Sequence, residues 1–297
     1  MCAALIALVA PSCAPGQESS RGSLTVGRLT RTFHLYVPPA AAAAASVPLV
    51  LVLHGAYGDG LGAERAYHWD RAAQRDGFLV AYPDGFKRAW NGGTCCGAPR
   101  RDNVDDVAFL SRLIQTLVQV HHADPRRVYV TGISNGAFMA YRLACEATVP
   151  IAAIGPVAGT LVVPCPHPQP TSILAIHGLA DRTVPFAGGN GSAEVRNVPS
   201  VAASLHTWIA ADHCGGAVES RAPPLTTRSW TCAQGRAIRL ITVDDAGHQW
   251  PGGEPPPALA QALAGLLRLH IDTPSSALDA TATLAAFFTQ HTASAAR

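Results

Sequence analysis

The sequence predicts an α/β fold: a doubly wound, mostly parallel sheet with antiparallel strands at its N-terminal edge. Three observations carry that expectation. Short runs that are apolar almost throughout, such as Val47–Leu53, recur along the chain, as strands covered on both faces require. Segments of helical spacing separate them, the arrangement of parallel strands joined by crossover helices. The first strands, Leu24–Val26 and Thr32–Val37, instead alternate apolar and polar side chains, as half-buried antiparallel strands do.

In chain order, Gln17–Gly22 is polar and reads as flexible, and Ala40–Ala45 after Pro38-Pro39 reads as a connection. Ala63–Arg75 has helical spacing, and Phe78–Tyr82 is a strand. Asn103 can cap a helix whose Val107, Leu110, Ile114 and Leu117 share one face, with Asp105 and Asp106 stabilising its first turn. A strand at Arg127–Thr131 and a helix at Phe138–Ala147 follow. Strands at Ile151–Val157, Ser172–Ile176 and Ile238–Val243 come next, and a helix at Leu278–His291 closes the chain. Neither a repeat nor a long linker divides this run, so residues 23–297 read as a single catalytic domain behind a leader of residues 1–22.

Composition narrows the class. Of 297 residues, 48% are hydrophobic and 14% charged, which excludes a disordered chain. The net charge is +2, with Lys87 the only lysine and the arginines scattered, so no basic stripe exists for nucleic acid or an anionic membrane. Ala3–Ala10 is too short to span a bilayer and fits a signal-peptide core, which implies export to the extracellular space. Ala10-Pro11-Ser12-Cys13 also resembles a lipoprotein cleavage site, which makes Cys13 a candidate lipid anchor to the cell envelope. Of eight cysteines the leader holds Cys2 and Cys13. The six that remain suit disulfides in an exported domain. The expected pairing is Cys214 with Cys232, and Cys95 and Cys96 with Cys145 and Cys165, because adjacent cysteines strain a mutual bond. With no C-x-x-C or H-x-x-H spacing, no metal site is expected.

The chemistry centres on Gly132-Ile133-Ser134-Asn135-Gly136, placed between an apolar strand and a helix. A nucleophilic serine must be lifted from the sheet on a turn so tight that glycine is needed on both sides. The hydroxyl also needs a base, and the base an orienting acid, at the ends of later strands in the order Ser, Asp, His. Asp181 follows the strand Ser172–Ile176, and His248 follows Ile238–Val243. Ser134, Asp181 and His248 are therefore the expected catalytic triad of an α/β-hydrolase fold. His54 and His177, which end apolar strands before glycines, read as structural. The oxyanion hole is expected from the backbone N–H groups of Asn135 and Ala56, with Tyr57 as the second choice in the glycine-rich loop His54–Gly60. Tyr57, Trp90 and Trp250 are the expected substrate-binding side chains. Trp90 lies in the long stretch Asp84–Asp102, and Trp250 follows His248 closely.

These stretches together resemble the secreted polyhydroxybutyrate depolymerase and feruloyl/acetyl-xylan esterase family. The pieces that carry the resemblance are Leu53-His54-Gly55, Cys95-Cys96, Val104–Val107, the serine motif, His177-Gly178 with Asp181, and Gly247–Gly252. The resemblance implies hydrolysis of carboxylic esters through an acyl-enzyme on Ser134, with a small or oligomeric ester as substrate and neither metal nor cofactor. Without a Ser/Thr-rich linker or an appended polymer-binding module, soluble oligomers or short acyl esters are expected rather than solid polyester. A serine peptidase of the same fold, or an envelope protein with a relic site, is the alternative reading.

Overall fold

The computed structural model of the protein describes residues 19–42, 44–192, 194–255, 258, 261 and 272–293. Most of the expected leader, with Cys2 and the candidate anchor Cys13, lies outside the described residues. Among the described residues ten strands form one sheet: β1 (Ser20–Val26), β2 (Leu29–Tyr36), β3 (Val47–Leu53), β4 (Leu79–Pro83), β5 (Ala123–Ile133), β6 (Ala153–Val157), β7 (Ser172–Gly178), β8 (Val218–Ala222), β9 (Leu225–Thr231) and β10 (Ala237–Val243). Their order is β1-β2-β4-β3-β5-β6-β7-β10-β9-β8. The six central strands from β4 to β10 run parallel, while β1 and β2 at one edge and β9 and β8 at the other are antiparallel. The predicted fold class is the observed one, with a second antiparallel edge that the sequence reading did not contain.

Strand alternation explains the two cores. Leu49, Leu51 and Leu53 of β3 face a cluster completed by the helices Asp106–His121, Asn135–Glu146 and Val201–Ala211. Val50 and Val52 face the opposite cluster, closed by the helices Trp69–Asp76 and Ala280–Phe288. Successive residues of a strand point to opposite faces, so a run without polar interruption is what a sheet sandwiched between helices needs. On the second face Tyr129 and Phe288 stack with ring centres 4.9 Å apart, pinning the C-terminal helix to the middle of the sheet.

Several expectations change. The first strand begins at Ser20, inside the stretch read as leader and flexible, because Ser20, Arg21 and Gly22 pair with Leu35, His34 and Phe33. Ala63–Arg75 is two helices, Gly60–Tyr67 and Trp69–Asp76, divided at His68, whose φ of 58° cannot continue a helix. The alanine run opens as a single helical turn, Pro39–Ala42. The helix expected from Asn103 starts at Asp106, because Asp105 accepts from the Ala108 N–H at 2.8 Å while Asn103 has a φ of 45°. The helix Val201–Ala211 and the exposed hairpin β8–β9 were missed, the hairpin because almost none of it is buried.

The cysteines differ as well. Cys214 pairs with Cys232 as expected, but Cys145 pairs with Cys165, their Cα atoms 5.6 Å apart, within ordinary disulfide reach. That leaves Cys95 and Cys96 bonded to each other. Glu194 lies close enough to those two sulfurs to complete a ligand cluster, but cysteines so paired offer no thiolate to a metal.

Candidate active site

At the end of β5 the chain turns sharply into the helix Asn135–Glu146, and Ser134 sits on the turn with φ 57° and ψ −120°. Both glycines are dictated by close approach. A Cβ on Gly132 would stand 2.6 Å from the Leu53 carbonyl oxygen, and one on Gly136 would strike the same oxygen and come within 2.7 Å of that of His54. The turn is therefore wedged against the end of β3. Such strain at one non-glycine residue persists only where its surroundings over-determine it, and here two flanking strand ends do so. Ser134 N–H also donates to Val157 O at 3.0 Å, tying the elbow to β6.

The acid and the imidazole meet across neighbouring strand ends. β7 and β10 are adjacent and parallel, which brings the loops after them side by side. Leu179 and Ala180 N–H groups donate to Val243 and Ala246 carbonyls at 2.9 and 3.0 Å, and the bare Gly178 lets Ala246 approach. Asp181 is buried, with Oδ1 accepting from the Thr183 and Val184 N–H groups, both at 2.8 Å. Its Oδ2 is 2.8 Å from His248 Nδ1. Since a carboxylate accepts, Nδ1 carries the proton, and Nε2 is left with its lone pair. His248 N–H in turn donates to Asp272 Oδ2 at 2.7 Å. Asp272 fixes the loop that carries the imidazole. It was not foreseen, because no motif surrounds it and the contact spans 24 residues.

The other two histidines are structural, as expected. His54 Nδ1 donates to Gly55 O at 2.7 Å and Nε2 accepts from Gly85 N–H at 2.9 Å, so both nitrogens are used. His177 Nε2 donates to Val184 O at 2.8 Å, which seats the ring behind Asp181. Burial lowers the pKa of both and keeps them neutral.

The loop His54–Gly60 lies beside the serine: a Cβ on Gly55 would be 3.6 Å from that of Ser134. Tyr57 N–H is taken by Arg88 O at 2.8 Å, which removes it as an oxyanion donor. The N–H groups of Ala56 and Asn135 have no backbone acceptor among the described residues. The Tyr57 side chain is 75% exposed. Trp90 is not a wall that substrate can touch. It is fully buried, with Nε1 donating to His54 O at 2.9 Å, and its backbone is clamped by the Asn135 side chain, which accepts from its N–H at 2.7 Å and donates to its carbonyl at 2.9 Å. Asp106 also departs from expectation. It is a fully buried partner of Arg31 at 2.7 Å and accepts from Asn91 N–H, so it anchors the Trp90 loop instead of decorating a helix end.

A cavity of about 510 Å³ adjoins the imidazole, bounded by His248, Trp250, Tyr67, Ile133, Pro255 and Pro274 among others. Trp250 is thus the one expected substrate-binding residue that lines a cavity next to His248.

Residues 31–216 match the family described as Esterase PHB depolymerase. NocK of Nocardia uniformis subsp. tsuyamanensis, provisionally named an esterase, is 32% identical over 290 residues, a match covering 90% of this chain and 83% of the relative. Feruloyl esterase B of Piromyces equi is 28% identical, over 68% of this chain but only 40% of that enzyme. Among solved structures, an acetyl xylan esterase from Aspergillus awamori superposes with a TM-score of 0.58 at 15% identity, covering 82% of this chain and 98% of that one. LpqC, the poly(3-hydroxybutyrate) depolymerase from Bordetella parapertussis, gives a TM-score of 0.50 at 20% identity, over 77% and 85% of the two chains. The structural likenesses establish the α/β-hydrolase fold.

Proposed function

This chain belongs to the PHB depolymerase family of esterases, and we propose that it cleaves carboxylic esters through an acyl-enzyme on Ser134, with His248 as base and Asp181 as its orienting acid. The observation that carries the reading is the His248–Asp181 hydrogen bond at 2.8 Å, its carboxylate buried, in a fold whose Ser134 stands on a strained elbow. As the Ser134 Oγ–carbonyl bond forms, the hydroxyl proton passes to His248 Nε2, and the imidazolium that results keeps its Nδ1–H on the Asp181 carboxylate. The oxyanion is held by the Asn135 and Ala56 N–H groups, aided by the positive end of the helix that starts at Asn135. Collapse breaks the ester C–O bond, and the imidazolium returns its proton to the departing alkoxide. Water then repeats the sequence on the acyl group and frees the serine.

Relatives and fold neighbours bear the names feruloyl, acetyl xylan and poly(3-hydroxybutyrate), so hydroxyalkanoate, feruloyl and acetyl esters are the proposed substrates. We further propose an exported protein with one catalytic domain, which takes in β1 from Ser20. The three cystine pairs support an oxidising compartment. Among the described residues no helix is long and apolar enough to cross a membrane. Lipid attachment at Cys13 would show as a mass increase abolished by Cys13→Ala.

Wild type and Ser134→Ala assayed on p-nitrophenyl acetate and butyrate, methyl ferulate, acetylated xylan and soluble hydroxybutyrate oligomers test the core of this reading. Turnover lost by at least about 10³-fold in the folded variant is expected. Undiminished turnover in folded Ser134→Ala would contradict it.

A further inference from the structure

The two edges of the sheet differ in what they present. β1 carries a single charged residue, Arg21, and its alternate residues are partly covered. β8 is exposed at each of its five residues, with Val218 72% exposed, and no described strand pairs with its outer side. Such a row of unpaired N–H and C=O groups is a template for another strand. Three devices that blunt an edge are missing from β8: it has no proline, no lysine and no bulge, since its register with β9 runs one to one from Val218–Ser229 to Ala222–Leu225. What it does carry is Glu219 and Arg221, opposite in sign and two residues apart, hence on one face.

The hairpin fixes which main-chain groups of β8 are free. Antiparallel pairs alternate between bonded and non-bonded, and the pair that closes a two-residue turn is a bonded one. That pair is Ala222–Leu225, around Pro223-Pro224. Counting back, Ser220 and Val218 spend their groups on β9, while Glu219 and Arg221 turn theirs outward. A copy of β8 laid antiparallel about Ser220 therefore sets Glu219 opposite the partner's Arg221, and symmetry makes the match twice. Each match exchanges two main-chain hydrogen bonds and brings the Cβ atoms to about 4.5–5.5 Å, within reach of a salt bridge. A slip of two residues either way sets Glu219 opposite the partner's Glu219, or Arg221 opposite the partner's Arg221.

Both side chains can take a second partner. Glu219 Oε2 accepts from Arg228 Nε at 2.5 Å, and Arg221 Nη2 donates to Asp244 Oδ2 at 3.1 Å. A carboxylate keeps further lone pairs and a guanidinium further N–H groups. Pairing thus builds a row of alternating charge: Arg228, Glu219, the partner's Arg221, the partner's Asp244. Charges that deter a foreign strand select a copy of this one in a single register. β1 has no acid to meet its Arg21 and offers no such match.

From this self-complementarity we propose that the partner of β8 is a second copy of this chain: two protomers pair antiparallel through β8 about a two-fold axis at Ser220, joining their sheets into one. With five residues a side the interface is small, so the dimer is weak and forms with rising concentration.

Sedimentation velocity of the full chain from about 1 µM to about 1 mM tests this. Wild type is expected to pass reversibly from monomer to dimer and to stop there. Glu219→Arg and Arg221→Glu each set like charges opposite one another at both matches, and each should raise the dissociation constant at least about tenfold. The double variant should return to within about threefold of wild type. Its contacts to Arg228 and Asp244 stay like-charged within the protomer, so recovery can come only from the opposing copy. Hydrogen exchange of wild type needs no variant: the Glu219 and Arg221 amides should slow as concentration rises, while those of β1 do not. Wild type that stays monomeric at the highest concentration, single variants that dimerise like wild type, a double variant that fails to recover, association that grows past the dimer, or a dimer without protection on β8 would each overturn the proposal.

Discussion

Two segments converge on Asn135 and are fixed by opposite means. The elbow Gly132–Gly136 is held by local close approach, since the space between it and the end of β3 admits no Cβ at either glycine. The stretch from Asp84 to Asp105 is held by long-range polar bonds. Asn135 grips Trp90 across 45 residues, and Asp106, buried at the next helix start, reaches Arg31 across 75. The first is steric and written in consecutive residues. The second is electrostatic and written in residues far apart. Both meet at Asn135, whose backbone opens the helix after Ser134 and whose side chain clamps Trp90, so one residue is fixed by two unrelated kinds of constraint.

The sharpest way to break the comparison is at the elbow. Gly136→Ala drives a methyl group into backbone that cannot move without shifting β3, and a loss of at least about 3 kcal/mol is expected, read by urea denaturation, with activity lost in whatever folds. Asp106→Ala should cost about 3–5 kcal/mol, because it strands the buried Arg31 guanidinium. The pairing Arg31→Met with Asp106→Leu should recover most of that stability, whereas no second substitution of a neighbouring side chain rescues Gly136→Ala. Recovery in both cases, or in neither, would erase the distinction drawn between them.

Acid probes the junction of the two segments at His54, whose carbonyl crowds Gly136 of the elbow and whose ring accepts from Gly85 of the second segment. Its pKa in the fold lies below the ordinary 6.5 because of burial, so its contribution is full above 6.5 and is lost as pH falls through the lower folded value. Asp70, whose carboxyl burial raises to about 7, acts in the opposite sense: its contribution is present at low pH and lost as pH rises through 7. Comparing wild type with His54→Asn between pH 7.5 and 5 isolates the histidine, and the variant should show the flatter decline in unfolding free energy. The smallest effect is expected far from either segment. Arg228→Ala removes an exposed pair with Glu219 on the hairpin β8–β9 and should change stability by less than about 1 kcal/mol.

What was legible in the sequence follows the same division. The apolar strands, the elbow and the meeting of Asp181 with His248 could be read because each rests on neighbouring residues or on strand-end placement. The break at His68 and the capping by Asp105 depend on single backbone torsions, to which hydrophobic spacing is blind. Trp90 looked like a substrate wall because an aromatic in a long loop is ordinarily a functional candidate. Only the fold shows that its loop is drawn into the core by Asn135, Asn91 and Asp106. Asp272 carried no signal in the sequence, since it takes its role from a loop that arrives from elsewhere in the chain. The pairing of Cys95 with Cys96 was missed for a different reason: the general strain argument against neighbours took no account of Cys145 and Cys165 satisfying each other.

The central claim is that Ser134 is the nucleophile activated by the His248–Asp181 pair. It is tested most directly by treating folded protein with a fluorophosphonate and locating the adduct by peptide mass spectrometry. The account predicts a single stoichiometric adduct on the peptide containing Ser134, formed much more slowly in His248→Ala and absent in Ser134→Ala. An adduct on a different residue, or labelling of Ser134 at the same rate without His248, would contradict it.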